Sequence, residues 1–150
     1  MKLRGLFVMA FAGCLFASTG PAGAARIADS GHGGRPLEAT LVGTNEVPPR
    51  SPTQTGTALV TLNQGQGEVC FELTVAGISS PITAAHIHAA PAGTNGPIVI
   101  SFNEPVNGLE GCVTADPDLI KAVRQNPSDY YVNVHTQQFR GGAIRGQLSK

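Results

Sequence analysis

The chain has 150 residues, of which 41% are hydrophobic, 5% aromatic and 13% charged, with 19 Gly and 11 Pro, so it has room for one compact domain and not for two of enzyme size. Ten Lys plus Arg balance ten Asp plus Glu, which leaves no positive field to hold a phosphate backbone and excludes nucleic acid as a partner. Few charges and many turn formers suit short strands joined by tight turns.

Lys2 and Arg4 precede an apolar run from Leu6 to Ala17, and Ala22-Gly23-Ala24 follows with small residues. This is the layout of an export leader over 1–24, removed after Ala24 or Ala25. The run falls short of the roughly 20 residues that span a bilayer, and no later stretch approaches that length, so no transmembrane segment is expected in the mature chain. A rival pattern, Phe11-Ala12-Gly13-Cys14, resembles a lipoprotein signal with Cys14 as the acylated residue. Phe in place of an aliphatic residue and the continuing Leu15-Phe16 argue against it. Loss of the leader removes Lys2 and Arg4 and leaves a nearly neutral, mildly acidic chain, secreted or periplasmic. It also leaves Cys70 and Cys112, an even number in an oxidising compartment. A disulfide between them is expected, since neither sits in the Cys-x-x-Cys spacing of metal and redox sites; two buried thiols or a Cys-containing metal site are the alternatives. Closing a loop with a sequence separation of 42 contributes about 3 to 4 kcal/mol.

Residues 25–36 are Gly-rich and read as a flexible tether, with His32 solvated. The domain follows over 37–150. Leu37 to Gly43 is a first strand and Thr57 to Asn63 a second, the latter placing Ala58, Val60 and Leu62 on one face. A turn at Gln64 to Gly67 leads into Glu68 to Val75, where Val69, Phe71, Leu73 and Val75 alternate with Glu68, Cys70, Glu72 and Thr74. Further strands are read at Ile82 to Ala90, Ile98 to Phe102 and Leu109 to Ala115. Then the period changes. Asp116 is a good N-cap, Pro117 suits the first helical position, and Leu119, Ile120 and Val123 fall at helical spacing, so one short helix ends before Pro127. Strands return at Tyr130 to Thr136 and Ala143 to Leu148. Eight strands of this length cannot bury a core as one flat sheet. Two packed sheets are expected: an all-β, Greek-key-like β-sandwich, superoxide-dismutase-like or immunoglobulin-like, with one short helix and one disulfide.

Several strings together resemble the CHRD domain, the chordin-type domain of secreted proteins. They are Gly43-Thr44-Asn45-Glu46-Val47-Pro48-Pro49, Ala85-His86-Ile87-His88, Tyr131-Val132-Asn133-Val134-His135-Thr136 and Gly141-Gly142-Ala143-Ile144-Arg145-Gly146-Gln147-Leu148. The likeness runs from about 37 to 149, with Arg140 where bacterial members often have Pro before the paired glycines. It implies an extracellular or cell-envelope β-sandwich, found in bacteria and, repeated, in animal chordins that antagonise bone morphogenetic proteins. In those proteins ligand binding is associated mainly with separate cysteine-rich modules, which this sequence does not contain, so growth-factor binding is not implied. Neither a reaction nor a cofactor is implied, and the partner expected is an extracellular or envelope one of unspecified identity.

His86, His88 and His135 form the candidate constellation. Residues two apart on a strand project from one face with Cα atoms about 6.5 to 7 Å apart, so His86 and His88 can converge on one ion while Ile87 faces away. A third imidazole from another strand completes a site suited to copper or zinc, with an open position. The pattern is similar to the His-x-His of copper,zinc superoxide dismutases, but that family uses six His and a bridged pair of metals, which this domain cannot supply. The alternative is that the imidazoles bond to strand carbonyls, Asn133, Arg145 or Glu46 and hold no ion. Glu46, Asn133 and Arg145 are the candidate supporting network. Glu46 either sits over the His face, meets Arg145 in an ion pair, or satisfies backbone donors beside Pro48-Pro49. Gly93, Gly96, Gly141 and Gly142 are expected to supply positive φ in turns. Ser79, Ser80 and Ser101 lie outside any nucleophile elbow, so the sequence does not point to an enzyme.

Overall fold

The computed structural model describes residues 34–102 and 109–150. The expected leader, Cys14 and His32 lie outside the described residues. Among them the chain forms strands β1 (Arg35–Val42), β2 (Thr55–Asn63), β3 (Glu68–Ala76), β4 (Ile82–Ala89), β5 (Ile98–Ser101), β6 (Glu110–Thr114), β7 (Tyr130–Thr136) and β8 (Ile144–Gln147), with one helix, α1 (Pro117–Gln125). β1 opens two residues earlier than the sequence suggests: Arg35 pairs with Leu62 and Pro36 with Thr61. Partner strand β2 is long enough to carry the ladder into what reads as tether. Gly43, expected to end β1, instead begins a 3-10 turn through Asn45.

All pairings are antiparallel, in the order β5-β4-β7-β8-β1-β2-β3-β6. The expected all-β sandwich with one short helix and one disulfide is present, its two packed layers being halves of one continuous hydrogen-bonded ladder. These halves, β1-β2-β3-β6 and β5-β4-β7-β8, are joined where Val42 pairs with Arg145 and where Glu38 and Ser149, just past β8, exchange backbone hydrogen bonds at 2.9 and 2.8 Å. At this join the sheet folds over on itself, and the result lies between a sandwich and a barrel.

The fold is driven by the inward face of each strand. Leu37, Ala39 and Leu41 on β1, Ala58, Val60 and Leu62 on β2, and Val69, Phe71 and Leu73 on β3 meet Ala85 and Ile87 on β4 and Val132 and Val134 on β7 in one apolar cluster. Each fully buried aliphatic side chain contributes about 1.5 to 3 kcal/mol relative to exposure. The rings of Phe71 and Phe102 stack with centroids 4.2 Å apart and carry the core across from β3 to the end of β5. Helix α1 begins as expected: the Asp116 carboxylate accepts from the Asp118 amide at 2.8 Å, Pro117 takes the first position, and Ile120 and Val123 are buried.

Cys70 and Cys112 lie directly opposite each other on β3 and β6 and are disulfide-bonded. Their sulfurs, near Glu68, are therefore bonded to each other and are not available as thiolate ligands.

Candidate metal centre

Strand β7 is buried on both faces. Alternation sends Val132 and Val134 into the core, so Tyr131, Asn133 and His135 point the other way, yet Tyr131 and Asn133 are each only 1% exposed. What covers them is loop. Glu46, just past the turn after β1, accepts from Asn133 Nδ2. The 91–97 segment places Asn95 and Gly96 against Arg145 and Tyr131. The 137–142 turn brings the Arg140 carbonyl to His135. A polar chamber is thereby built on the outer face of β4, β7 and β8.

Register decides who meets whom there. On β4, His86 stands opposite Asn133 and His88 opposite Tyr131, while Ala84 stands opposite His135. The small Ala84 leaves room beside His135, and the diagonal neighbour His86 reaches it: the His86 and His135 ring centroids are 4.8 Å apart, His86 and His88 5.6 Å, His88 and His135 5.9 Å. One nitrogen from each ring lies within 4.8 Å of one from each of the others. An ion about 2.0 to 2.1 Å from three nitrogens in tetrahedral geometry holds them about 3.4 Å apart, so the rings stand at most about 1.4 Å wider than an occupied set.

The hydrogen bonds fix which nitrogens are free. A carbonyl only accepts, so His88 donates Nδ1–H to Gly96 O and His135 donates Nδ1–H to Arg140 O, each at 2.9 Å. Both rings are locked with a lone pair on Nε2. The Nε2 atoms of His88 and His135, and Nδ1 of His86, are buried and have no hydrogen-bond partner among the described residues. Buried acceptors without donors cost free energy, and a carbonyl-anchored imidazole with its other nitrogen bare is the arrangement metal-ligating histidines adopt. Burial also keeps the rings neutral. It lowers the His86 pKa to about 4, helped by the charges His135 and His88 would carry. It lowers His88 and His135 as well, against the opposing pull of the carbonyls of Gly96 and Arg140.

The expectation that the imidazoles bond to Asn133, Arg145 or Glu46 does not hold, because those three groups bond to one another. Arg145 gives Nε and Nη2 to Glu46 Oε2 at 2.7 and 2.6 Å, Asn133 Nδ2 takes Oε1, and Arg145 also donates to Asn95 Oδ1 and Thr94 O. Glu46 is thus the Arg145 ion-pair partner and is not placed among the histidine nitrogens. Its own pKa is raised, because burial outweighs the hydrogen bonds and charge of Arg145. The carbonyl partners of the imidazoles come from loops, not strands.

Tyr131 is the residue sequence reasoning missed. Its ring stacks on His88 at 4.9 Å and 7°, the Arg145 guanidinium covers it at 4.6 Å, and its hydroxyl accepts from Gly96 N–H. The peptide that holds His88 is therefore held by the ring that His88 stacks on. The signal was present, since Tyr131 shares the alternating face of Asn133 and His135. Two glycine expectations are corrected. Gly93 and Gly142 have positive φ, at 78° and 124°, but Gly96 and Gly141 do not. Gly96 is required for close approach instead, because a Cβ there would run into the Ala89 carbonyl oxygen. At Gly142 a Cβ would also meet the Glu46 carboxylate oxygens.

Among protein families, the model of the CHRD domain matches residues 37–148. No curated protein and no solved structure matches the chain.

Proposed function

The chain belongs to the CHRD domain family, and from that premise we propose that it is an exported, non-enzymatic binding module whose ligand is a single transition metal ion, copper or zinc, held by His86, His88 and His135. At a coarse level the family supports a non-enzymatic module. The observation that carries the metal reading is the three buried, unpartnered ring nitrogens, two of them on imidazoles already anchored through Nδ1. Three neutral nitrogens without a carboxylate or thiolate favour Cu(II) or Zn(II) over Mg(II) or Ca(II). The ion would be held by these rings, and binding would relieve the polar desolvation that the closed chamber now imposes. The leader pattern and the Cys70–Cys112 disulfide support export, and amino-terminal sequencing of protein recovered outside the cytoplasm should begin at Ala25 or Arg26.

Metal analysis and Zn(II) titration of the oxidised mature protein test the site. One equivalent bound by the parent, lost in His86→Ala/His88→Ala, is expected. Equal stoichiometry in both proteins removes the idea and leaves the imidazoles as fasteners for the 91–97 and 137–142 loops.

A further inference from the structure

The three imidazoles are not equivalent, and the difference assigns them different jobs. His88 is 8% exposed and His135 9% exposed, and each is tied by Nδ1–H to a loop carbonyl. His88 is further clamped by Tyr131. His86 is only half-buried and makes no ring hydrogen bond among the described residues; its buried, unpartnered nitrogen is Nδ1, where the other two present Nε2. It also stands at the more open margin of the site, opposite Ser101 of the four-residue edge strand β5. Any adjustment on binding falls most readily on a ring that no hydrogen bond holds. Among the described residues, that ring is His86.

Resting on the metal reading above, we infer that His86 is the exchanging ligand: it closes on the ion through Nδ1, opposite two fixed Nε2 donors, and opens again to release it. The site is then a two-imidazole cradle with a mobile third arm. Its exchange partner is a molecule that offers one accessible imidazole or thiolate, able to replace His86 in the coordination shell without disturbing His88 and His135. No electron needs to be supplied by another reagent, since one donor lone pair, on an imidazole nitrogen or a thiolate sulfur already deprotonated, replaces another on the metal. Among the described residues, loop carbonyls anchor two of the three ligands and leave His86 the freer one.

The test is a Zn(II) titration of the intact, oxidised, nitrogen-15-labelled chain, followed by long-range proton–nitrogen spectra of the imidazoles. Before metal, His88 and His135 should be single Nδ1–H tautomers and His86 a mixture. With Zn(II), the nitrogens that shift as ligands should be Nδ1 of His86 and Nε2 of His88 and His135. Ligation of His86 through Nε2, or no change at His86 while the other two respond, overturns the inference and leaves metal binding intact. Silence from all three rings overturns metal binding itself. Variants give a second readout that does not depend on the spectra. His86→Ala should still bind Zn(II), losing roughly tenfold less affinity than His88→Ala or His135→Ala, because an unanchored ring contributes less after its ordering cost. It should also pass the ion to free imidazole faster than the parent. Equal losses in all three folded variants contradict the assignment.

Discussion

Replacing Arg145 with Met keeps most of the side-chain volume and removes the charge. Both members of the ion pair are almost fully enclosed, with side chains 4% and 1% exposed. Removing one partner of such a pair leaves the other buried and uncompensated, which costs about 3 to 5 kcal/mol. Arg145→Met also gives up the guanidinium over Tyr131 and the bonds to Asn95 Oδ1 and Thr94 O, so the upper end of that range is expected. Glu46 has an escape, because its pKa is already raised by burial and loss of Arg145 raises it further. The sign follows. A carboxyl with a folded pKa above its unfolded value of about 4.3 penalises the fold least below that pH, and the penalty grows as pH rises through the folded pKa. The deficit of Arg145→Met should therefore be largest near pH 8 and shrink toward pH 4.5. Urea denaturation of the oxidised protein at several pH values measures it. Glu46→Gln/Arg145→Met should recover most of the loss, since no buried charge is left unpaired. A single variant within about 0.5 kcal/mol of the parent, or a double variant as unstable as the two singles summed, refutes the reasoning.

Other consequences are simpler to read. Cys70→Ser/Cys112→Ser should lose about 3 to 4 kcal/mol through a less constrained unfolded chain, measured by the same denaturation against the oxidised parent; an unchanged midpoint contradicts the bond's role. The three histidines all have lowered folded pKa values, so their neutral forms favour the fold at and above the unfolded value of about 6.5, and that contribution is lost as pH falls, for His86 through about 4. The metal-free protein should melt at progressively lower temperature between pH 6.5 and 4, and His86→Ala should flatten part of that slope; parallel curves for the two proteins refute the assignment.

Much of this architecture is legible in residue order because strand periodicity is local. The alternation of β2 and β3 identifies the faces that meet in the core, and the Asp116-Pro117 start places α1 correctly. The join between β1 and the β8 segment is not legible, since it depends on pairings of Val42 with Arg145 and Glu38 with Ser149, which lie far apart in sequence. The site divides the same way. His86 and His88 announce a shared face by their spacing, and Glu46 and Arg145 do meet as an ion pair. What holds the imidazoles is invisible in the sequence, because the acceptors are the backbone carbonyls of Gly96 and Arg140, which every residue possesses. The role of Gly96 is hidden for a related reason: its need is proximity to the Ala89 carbonyl, a tertiary fact, and not a positive φ.

Anomalous diffraction from crystals of the mature protein grown with one equivalent of Zn(II), recorded on both sides of the zinc absorption edge, addresses the metal centre directly. One peak is predicted, bounded by His86, His88 and His135 at about 2.0 to 2.1 Å from a nitrogen of each. An anomalous map with no peak among the three rings, or with zinc held only at surface carboxylates, would contradict the account.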